Sequence, residues 1–441
     1  MSPLPLTPPH VLVILENVPL GTDRRVGKEV QELLRGGYRV SVVTQSAPEN
    51  ADCRGWPGLT LLEYPAPPEP RSLLGYVREY TVSFTWACLH SGRARWRDRI
   101  DVLHLVQPPD IYIPLAGLHK LLGAAILVDQ HDLMPELLAI RQRSAVRPLS
   151  AILRWLERLT QRVADETVCT NDYQRKRLIG AGGAPERVTV VRNGPVLDRV
   201  RAAAPDPSLK GDATHLCCWV GQMGRQDRLD LALHTVHHLV RELGRRDVRF
   251  VFLGAGECWE ETRALASDLG LDPWVSFPGW VPETTVFSYL ATADVGMDAS
   301  LQQDVSPVKV FEYMAFGVPF VAFDLQETRS VGAGAGAYAP PDDVPALARE
   351  LDLLLGDPER RARMGRVGQA RIRDDLAWEH QGKKYLEVVD RLSGPARHRS
   401  RTDPASSSRV RRSRPRSTPQ GVGYGDPETA GSPRAVSRGR R

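Results

Sequence analysis

From Asp304 to Asp324 the chain reads DVSPVKVFEYMAFGVPFVAFD, a stretch with the residue types for holding a phosphorylated sugar. Ser306 suits a helix N-cap. Pro307 suits the first helical position, where its missing N–H is no loss and its φ is already helical. The first-turn N–H groups of such a helix are unpaired and the macrodipole is positive there, so its start can hold an anion such as phosphate. Lys309 adds a full positive charge in that turn. The dipole disfavours a cation at this end, so the lysine implies an anion bound between them. Glu312 lies three residues on, on the same helix face, where its carboxylate can accept hydrogen bonds from sugar hydroxyls. The competing reading of the spacing alone is an ordinary surface Lys–Glu pair followed by a core strand.

These groups need elements to position them, and the sequence supplies a regular series. Short β-rich runs alternate with helix-compatible segments: 11–16, 39–44, 59–64, 101–106, 125–130, 166–170 and 188–193 in the first half, then 215–220, 249–254, 275–280, 294–299 and 319–324. Apolar strands alternating with helices imply parallel sheets covered on both faces. The run AAAPDPSLKGD (202–212) separates the two sets as a linker. The expected fold is therefore α/β, with two doubly wound, Rossmann-like domains at 1–203 and 213–375. A helix over 376–393, with Tyr385, Leu386, Val389 and Leu392 at helical spacing, packs back on the body. Ligands of such sheets bind beyond the carboxyl ends of the strands, so a site between facing domains belongs in the cleft. Two segments are placed there. The loop ENVPLGTDRRV (16–26) offers Gly21 for close backbone approach and Asp23, Arg24 and Arg25 for polar contacts, unless it is a polar turn with Asp23 capping the next helix. His131 follows the run AILVDQ, with Asp132 and Glu136 beyond it to orient the loop or cap a helix. Asn193-Gly194 reads as a turn.

Composition narrows the class. The 441 residues are 42% apolar and 25% charged, a globular balance on a chain long enough for two cores. No apolar run reaches the ~18 residues of a membrane span, and MSPLPLTPPH has no signal-peptide pattern. Six scattered cysteines without a CxxC pair point to reduced thiols and a cytoplasmic setting, with no metal site. Residues 394–441 hold 12 Arg, no Lys and 3 acids, a net +9, which leaves residues 1–393 at −4 with 46 basic and 50 acidic side chains. This Arg/Ser/Pro-rich tail is expected to be disordered, either a solvated appendage or a contact for an anionic surface.

The block DVSPVKVFEYMAFGVPFV (304–321) resembles the donor-site signature of the retaining GT-B glycosyltransferases of group 1, also called family 4. That signature is acidic-x7-Glu followed by Ala-x-Gly-x-Pro, and it falls on Asp304, Glu312, Ala315, Gly317 and Pro319. Further blocks resemble the family in order: DQHDLMPE (129–136), VRNGPVLD (191–198), VGQMGRQDRLDLAL (220–233), FLGAGE (252–257) and VSFPGWVPE (275–283). The resemblance implies a GT-B fold over about residues 11–392. Glu312 would hold the nucleotide ribose, Asp304 would face the transferred sugar, and Ser306, Lys309 and the helix start would hold the diphosphate. Gly221, Arg225 and Arg228 join the donor side. His131 matches a family histidine that reaches the donor sugar, and Gly21, Asp23 and Arg25 lie on the acceptor side. Two departures stand out: the first acid is Asp304 where glutamate is common, and the family's loop Arg and Lys-Gly are replaced by Gln222 and Asp227-Arg228.

The implied activity is transfer of a hexosyl or N-acetylhexosaminyl group from a UDP- or GDP-sugar co-substrate to a hydroxyl acceptor, in polysaccharide or glycolipid synthesis. No other cofactor and no specific nucleic-acid partner are implied. Two alternatives share the fold: a sugar-nucleotide epimerase, for which no acid–base pair beyond Asp304 and Glu312 is found, and a non-catalytic scaffold, which Asp227 in the phosphate loop favours. The N-terminal half also carries Trp96 among the arginines of SGRARWRDRI (91–100), and Trp155 with Arg154, Arg158 and Arg162 on an expected helix over 150–163. Arginine with tryptophan suits an anionic membrane surface and a lipid-linked acceptor. The alternative is solvated helix faces with Trp155 in the core.

Overall fold

The computed structural model describes residues 8–16, 18–68, 73–136, 147–200 and 204–394; the arginine-rich tail lies outside them. The first domain is a seven-stranded parallel sheet: β1 (His10–Ile14), β2 (Arg39–Gln45), β3 (Leu59–Tyr64), β4 (Val102–Gln107), β5 (Ala125–Gln130), β6 (Glu166–Cys169) and β7 (Val188–Val190), in spatial order β3-β2-β1-β4-β5-β6-β7. The second has six: β8 (His215–Val220), β9 (Val248–Leu253), β10 (Val275–Gly279), β11 (Val295–Asp298), β12 (Phe320–Phe323) and β13 (Gly336–Ala339), in order β10-β9-β8-β11-β12-β13. Every pairing is parallel. The winding reverses between β1 and β4 and between β8 and β11, which opens a crevice at the carboxyl ends of each sheet.

The strands follow the sequence runs to within three residues, and the central ones are nearly all apolar and buried on both faces: β1 and β4 have no exposed residue. The sequence missed β13. Its GAYA lacks the β-branched residues that mark a strand, and it joins the sheet by pairing along β12 from Phe320↔Gly336 to Phe323↔Ala339.

Each sheet is sandwiched between two apolar clusters. In the second domain Trp219, Phe250 and Phe252 fill one face, and Phe311, Tyr313 and Phe320 the other. In the first domain Leu12, Leu103 and Ile126 face helices Leu73–Arg97 and Ile113–Leu121. The opposite face, with Val11, Val13 and Leu127, is closed by helix Arg24–Arg35 and by Trp378, Tyr385, Leu386, Val388 and Val389 of the C-terminal helix Trp378–Leu392. The last described helix is thus part of the first domain's core. Its polar groups seal the join: Tyr38 Oη donates to Asp390, Arg391 pairs with Glu166 at 3.0 Å, and Tyr385 Oη meets His104 Nδ1 at 3.1 Å.

The chain crosses between domains twice, and the crossings touch. Trp378 N donates to Pro195 O at 2.9 Å, and a Cβ at Gly194 would lie 1.8 Å from Leu376 O, so only glycine permits the contact. Among the described residues no helix is long and apolar enough to cross a membrane, and all six cysteines are free.

Candidate active site

The stretch from Asp304 to Phe323 forms a loop, a helix (Val308–Ala315), a tight turn and β12. The helix starts one residue later than Ser306 as N-cap requires. Pro307 has φ −77° and ψ 68°, and Val308 N donates to Ser306 O at 2.8 Å, which is an inverse γ-turn centred on the proline. This turn corrects the capping role expected of Ser306. Its hydroxyl is buried with no partner among the described residues, as is Oδ2 of Asp304. At the other end Gly317, φ 72°, ends the helix in a Schellman turn: Gly317 N donates to Met314 O and Val318 N to Tyr313 O. The Ala-x-Gly-x-Pro pattern is this turn, with Pro319 leading into β12.

Lys309 reaches back to the carboxyl ends of the central strands. Its Nζ lies 2.8 Å from Asp227, 3.5 Å from Asp298 at the end of β11, and 5.3 Å from the centre of the Trp219 ring. Burial opposes its charge, but the two carboxylates outweigh that and hold its pKa above the ordinary lysine value. The anion that the sequence demanded beside Lys309 is here supplied by the protein. Asp227, standing where the resemblance implies a phosphate-binding lysine, is the partner that neutralises this one. Arg228 pairs with Asp230 at 2.8 Å and Arg225 with Glu261 at 3.4 Å, so each cation assigned to a diphosphate carries an acid. Gly221 lies at the end of β8, where a Cβ on Gly254 would come 1.9 Å from its carbonyl.

Glu312 is mostly buried, and its nearest cation comes from the other domain: Arg24 Nη1 lies 3.9 Å from Glu312 Oε1 and Nη2 3.7 Å from Glu283. Burial raises its pKa; Arg24 and Arg199 pull the other way. Asp304 is 6% exposed, and burial likewise raises its pKa, with Asp132 and Glu136 adding to the shift.

The loop 16–26 departs from its expected role. Asp23 caps helix Arg24–Arg35, accepting from Arg25 N and Val26 N. Gly21 does make a close approach, but to the protein: a Cβ there would sit 1.8 Å from Glu49 O. Arg25 turns inward, which corrects its assignment to the acceptor side. Its guanidinium is buried against Asp129 at 2.8 Å and Glu29 at 3.2 Å, and donates to Val191 O and Asn193 Oδ1. It turns inward on Asp129, which is wholly buried yet held in its charged form, burial being outweighed by Arg25 and His131; burial pushes the carboxyl of the equally buried Glu29 well up instead. Glu29, His104 and Asp129 bring ligand atoms within 4.8 Å of one another, but the Arg25 guanidinium already lies against both carboxylates.

Asp129 also organises His131. Its Oδ2 lies 2.6 Å from His131 Nε2. Burial would strip the imidazolium of its proton, but the carboxylate prevails and holds the pKa up at about 9. His131 and Asp304 come from different domains, yet one side chain touches both: Gln174 Nε2 donates to His131 O at 2.7 Å and to Asp304 O at 3.0 Å. Sequence reasoning missed Asp129, Asn171 and Gln174. The Asn171-x-x-Gln174 spacing marks a helix start, which it is, for helix Asp172–Gly180. Nothing local announces the contact across the cleft.

Two doubly wound domains facing across such a cleft, with an acid-bearing helix on one wall and a part-buried histidine on the other, define the GT-B class of sugar-nucleotide proteins. Two family models match the chain, one per domain: the glycosyl transferase 4-like domain over residues 21–194 and glycosyl transferases group 1 over residues 214–357. The chain belongs to the group 1 glycosyltransferases. It is 27% identical over 248 residues to a GDP-mannose-dependent alpha-(1-6)-phosphatidylinositol monomannoside mannosyltransferase of Mycolicibacterium smegmatis, a match covering 51% of this chain and 62% of that protein. It is 32% identical over 151 residues to a phosphatidyl-myo-inositol mannosyltransferase of the same organism, covering 34% of this chain and 38% of that one. The matches thus span less than two thirds of these relatives. In fold the chain is similar to sucrose-phosphate synthase from Thermosynechococcus elongatus (TM-score 0.70, 17% identity, 87% of this chain and 99% of that one). It is also similar to Anabaena HepE in complex with UDP-glucose (TM-score 0.67, 14% identity, 87% and 99%).

Proposed function

We propose that the protein is a retaining glycosyltransferase that moves a hexosyl or N-acetylhexosaminyl group from a UDP- or GDP-sugar to a hydroxyl acceptor, in the synthesis of a cell-surface polysaccharide or glycolipid. The observation that carries this reading is the meeting of His131 and the Asp304 segment on the amide of Gln174. A histidine wall and a donor-side acid wall thereby close on one space. Glu312 accepts from both ribose hydroxyls of the nucleotide, displacing Arg24. The start of helix Val308–Ala315 and Lys309, released from Asp227, take the diphosphate. Ser306 Oγ and Asp304 Oδ2, without a partner among the described residues, are the groups proposed to bond the sugar. His131 holds a proton at neutral pH and stabilises negative charge developing beside it. The departing phosphate takes the acceptor proton on the face it leaves, so the protein contributes position and electrostatics and no nucleophile.

Release of nucleoside diphosphate from labelled UDP- and GDP-sugars tests the reading; none released from any donor overturns it. Glu312→Gln abolishes nucleotide binding with the fold intact, because an amide cannot accept from two hydroxyls with both atoms. Unchanged affinity by calorimetry would remove Glu312 from the site.

The acceptor is proposed to be lipid-linked and reached from the cytoplasmic face of an anionic membrane. Support comes from a basic, apolar patch on the first domain. Arg95 Nη2 donates to Leu122 O and Lys120 Nζ to Val163 O, which gathers the C-terminal ends of helices Leu73–Arg97, Ile113–Leu121 and Arg147–Val163. Trp96 is 89% exposed there and Leu121 88%. Trp155 is 55% exposed, so the core position weighed for it is not the one it takes.

A further inference from the structure

We infer that Asn171 and Gln174 are positioning residues that register the donor-side Asp304 segment against His131, so that the reacting groups assemble only when the two domains close. The inference rests on the glycosyl-transfer reading for its chemistry, and its geometry stands apart from it.

Asn171 and Gln174 sit just beyond β6, in the first domain, and both are wholly buried. Asp304 lies in the second domain, on the loop from β11 to helix Val308–Ala315. Its main-chain carbonyl accepts from Asn171 Nδ2 at 2.8 Å and from Gln174 Nε2 at 3.0 Å, so both lone pairs are taken by the opposite domain. The second amide hydrogen of Gln174 goes to His131 O at 2.7 Å. Its Oε1 accepts from Thr170 N and Oγ1, each at 3.0 Å. These partners fix the amide orientation, since two carbonyls need the nitrogen and an N–H needs the oxygen. Asn171 spends its oxygen within its own domain, capping helix Asp172–Gly180 by accepting from Gln174 N at 2.8 Å, while its nitrogen donates to Thr170 Oγ1 at 3.3 Å and across the cleft to Asp304 O.

A second ring of contacts encloses the first. Arg192 donates to Asp172 Oδ2 at 2.6 Å and to Glu327 Oε1 at 3.0 Å, and Asp172 N donates to Glu327 Oε2 at 3.3 Å. Glu327 is 1% exposed and belongs to the second domain, so an ion triad that runs from this buried carboxylate through Arg192 to the part-exposed Asp172 joins the two domains beside the amide clamp. The clamp holds Asp304 by its main-chain carbonyl and leaves Oδ2 without a partner among the described residues. Separation of the domains breaks the bonds to Asp304 O together and frees its loop from His131. The nucleotide groups Glu312 and Lys309 sit on the second domain and do not need the clamp. Loss of the clamp therefore falls on turnover and leaves nucleotide affinity in place.

Asn171→Asp is the discriminating variant in the full-length chain. Aspartate caps the helix as well as asparagine but cannot donate to Asp304 O. Gln174→Glu keeps the size of the side chain and removes both donors. With UDP-glucose and GDP-mannose as donor probes, each variant is expected to lower kcat for nucleoside diphosphate release by about 10- to 100-fold, the scale of a misplaced reacting group. The Kd for UDP or GDP stays within about threefold, and circular dichroism at the assay temperature shows both variants folded, so that a fall in kcat is not a loss of fold. Wild-type kcat in Asn171→Asp, or a Kd that rises in step with the fall in kcat, overturns the inference. If the wild-type chain turns over no sugar nucleotide, the glycosyl-transfer reading fails alone. Small-angle scattering then decides the clamp: a larger radius of gyration in the Asn171→Asp/Gln174→Glu double variant supports it, and an unchanged radius overturns it.

Discussion

At the scale of single residues, the site is governed by which acid answers which cation. Lys309 is held by Asp227 and Asp298, so a bound diphosphate has to compete with Asp227 for it. Removing the competitor favours the ligand: Asp227→Asn is expected to tighten UDP or GDP binding by about tenfold, the lower end of a charge-assisted hydrogen bond of roughly 1.5–3 kcal/mol. Calorimetry showing equal or weaker affinity would mean that Lys309 never leaves its carboxylates. His131 gives a second test with a definite sign. Its pKa is raised from 6.5 to about 9, so its pairing with Asp129 stabilises the fold fully below about 6.5, and this contribution is lost as pH rises through about 9. Its ring-proton signal in NMR is therefore expected to stay at the charged position through pH 8. A midpoint near 6.5 would show that Asp129 does not hold the proton. Asp129 runs the other way, its pKa held well below the ordinary carboxylate range, with burial outweighed by Arg25 and His131.

At the scale of elements, the C-terminal helix Trp378–Leu392 is the least local feature of the fold. It closes the core of the first domain from the far end of the chain. Trp378 is 2% exposed, and Nζ of Lys28 lies 4.4 Å from the centre of its ring. Trp378→Ala should destabilise the first domain by about 3–5 kcal/mol, as large-to-small changes at buried aromatic sites do. Urea unfolding followed by a probe in the first domain reads this directly; a loss under about 1 kcal/mol would mean that the helix only rests on the surface. The amphipathic spacing of this helix was legible in the sequence. Its address was not, because a pattern of apolar positions states that a face is buried without stating against what. The same limit applies at Pro307. Ser-Pro before an apolar run reads as a cap and first turn, and only the tertiary course of the loop turns it into an inverse γ-turn that releases the serine hydroxyl.

At the scale of the whole molecule, the two domains, the cleft and the basic patch act together. An enzyme acting on a lipid-linked acceptor would present Trp96 and Leu121 to the membrane and keep the cleft within reach of it. Several basic residues near an anionic leaflet at ~1 kcal/mol each suffice for reversible attachment. A chain ending at residue 394 is therefore expected to sediment with anionic vesicles at low salt and to dissociate at high salt, with Trp96→Glu weakening the attachment. If the truncated chain stays in the supernatant, any membrane contact belongs to the arginine-rich tail.

The sequence by itself determined the two doubly wound domains, twelve of the thirteen strands among the described residues, and the helix and turn that carry Lys309, Glu312 and Gly317. Each of these is set by local pattern: fully apolar strand runs, a glycine where φ must be positive, a proline after the turn. It also showed that Asp227 departs from the expected phosphate loop. Only the tertiary structure decided what these side chains face. Arg24 and Arg25 are neighbours with the same chemistry, yet Arg24 looks across the cleft to Glu312 and Arg25 is buried on Asp129 and Glu29. Asn171 and Gln174, which stand at a helix start, bridge two domains through a carbonyl 133 residues from Asn171. Such contacts are set by where two sheets bring their carboxyl ends together, a relation between distant segments that no local periodicity encodes.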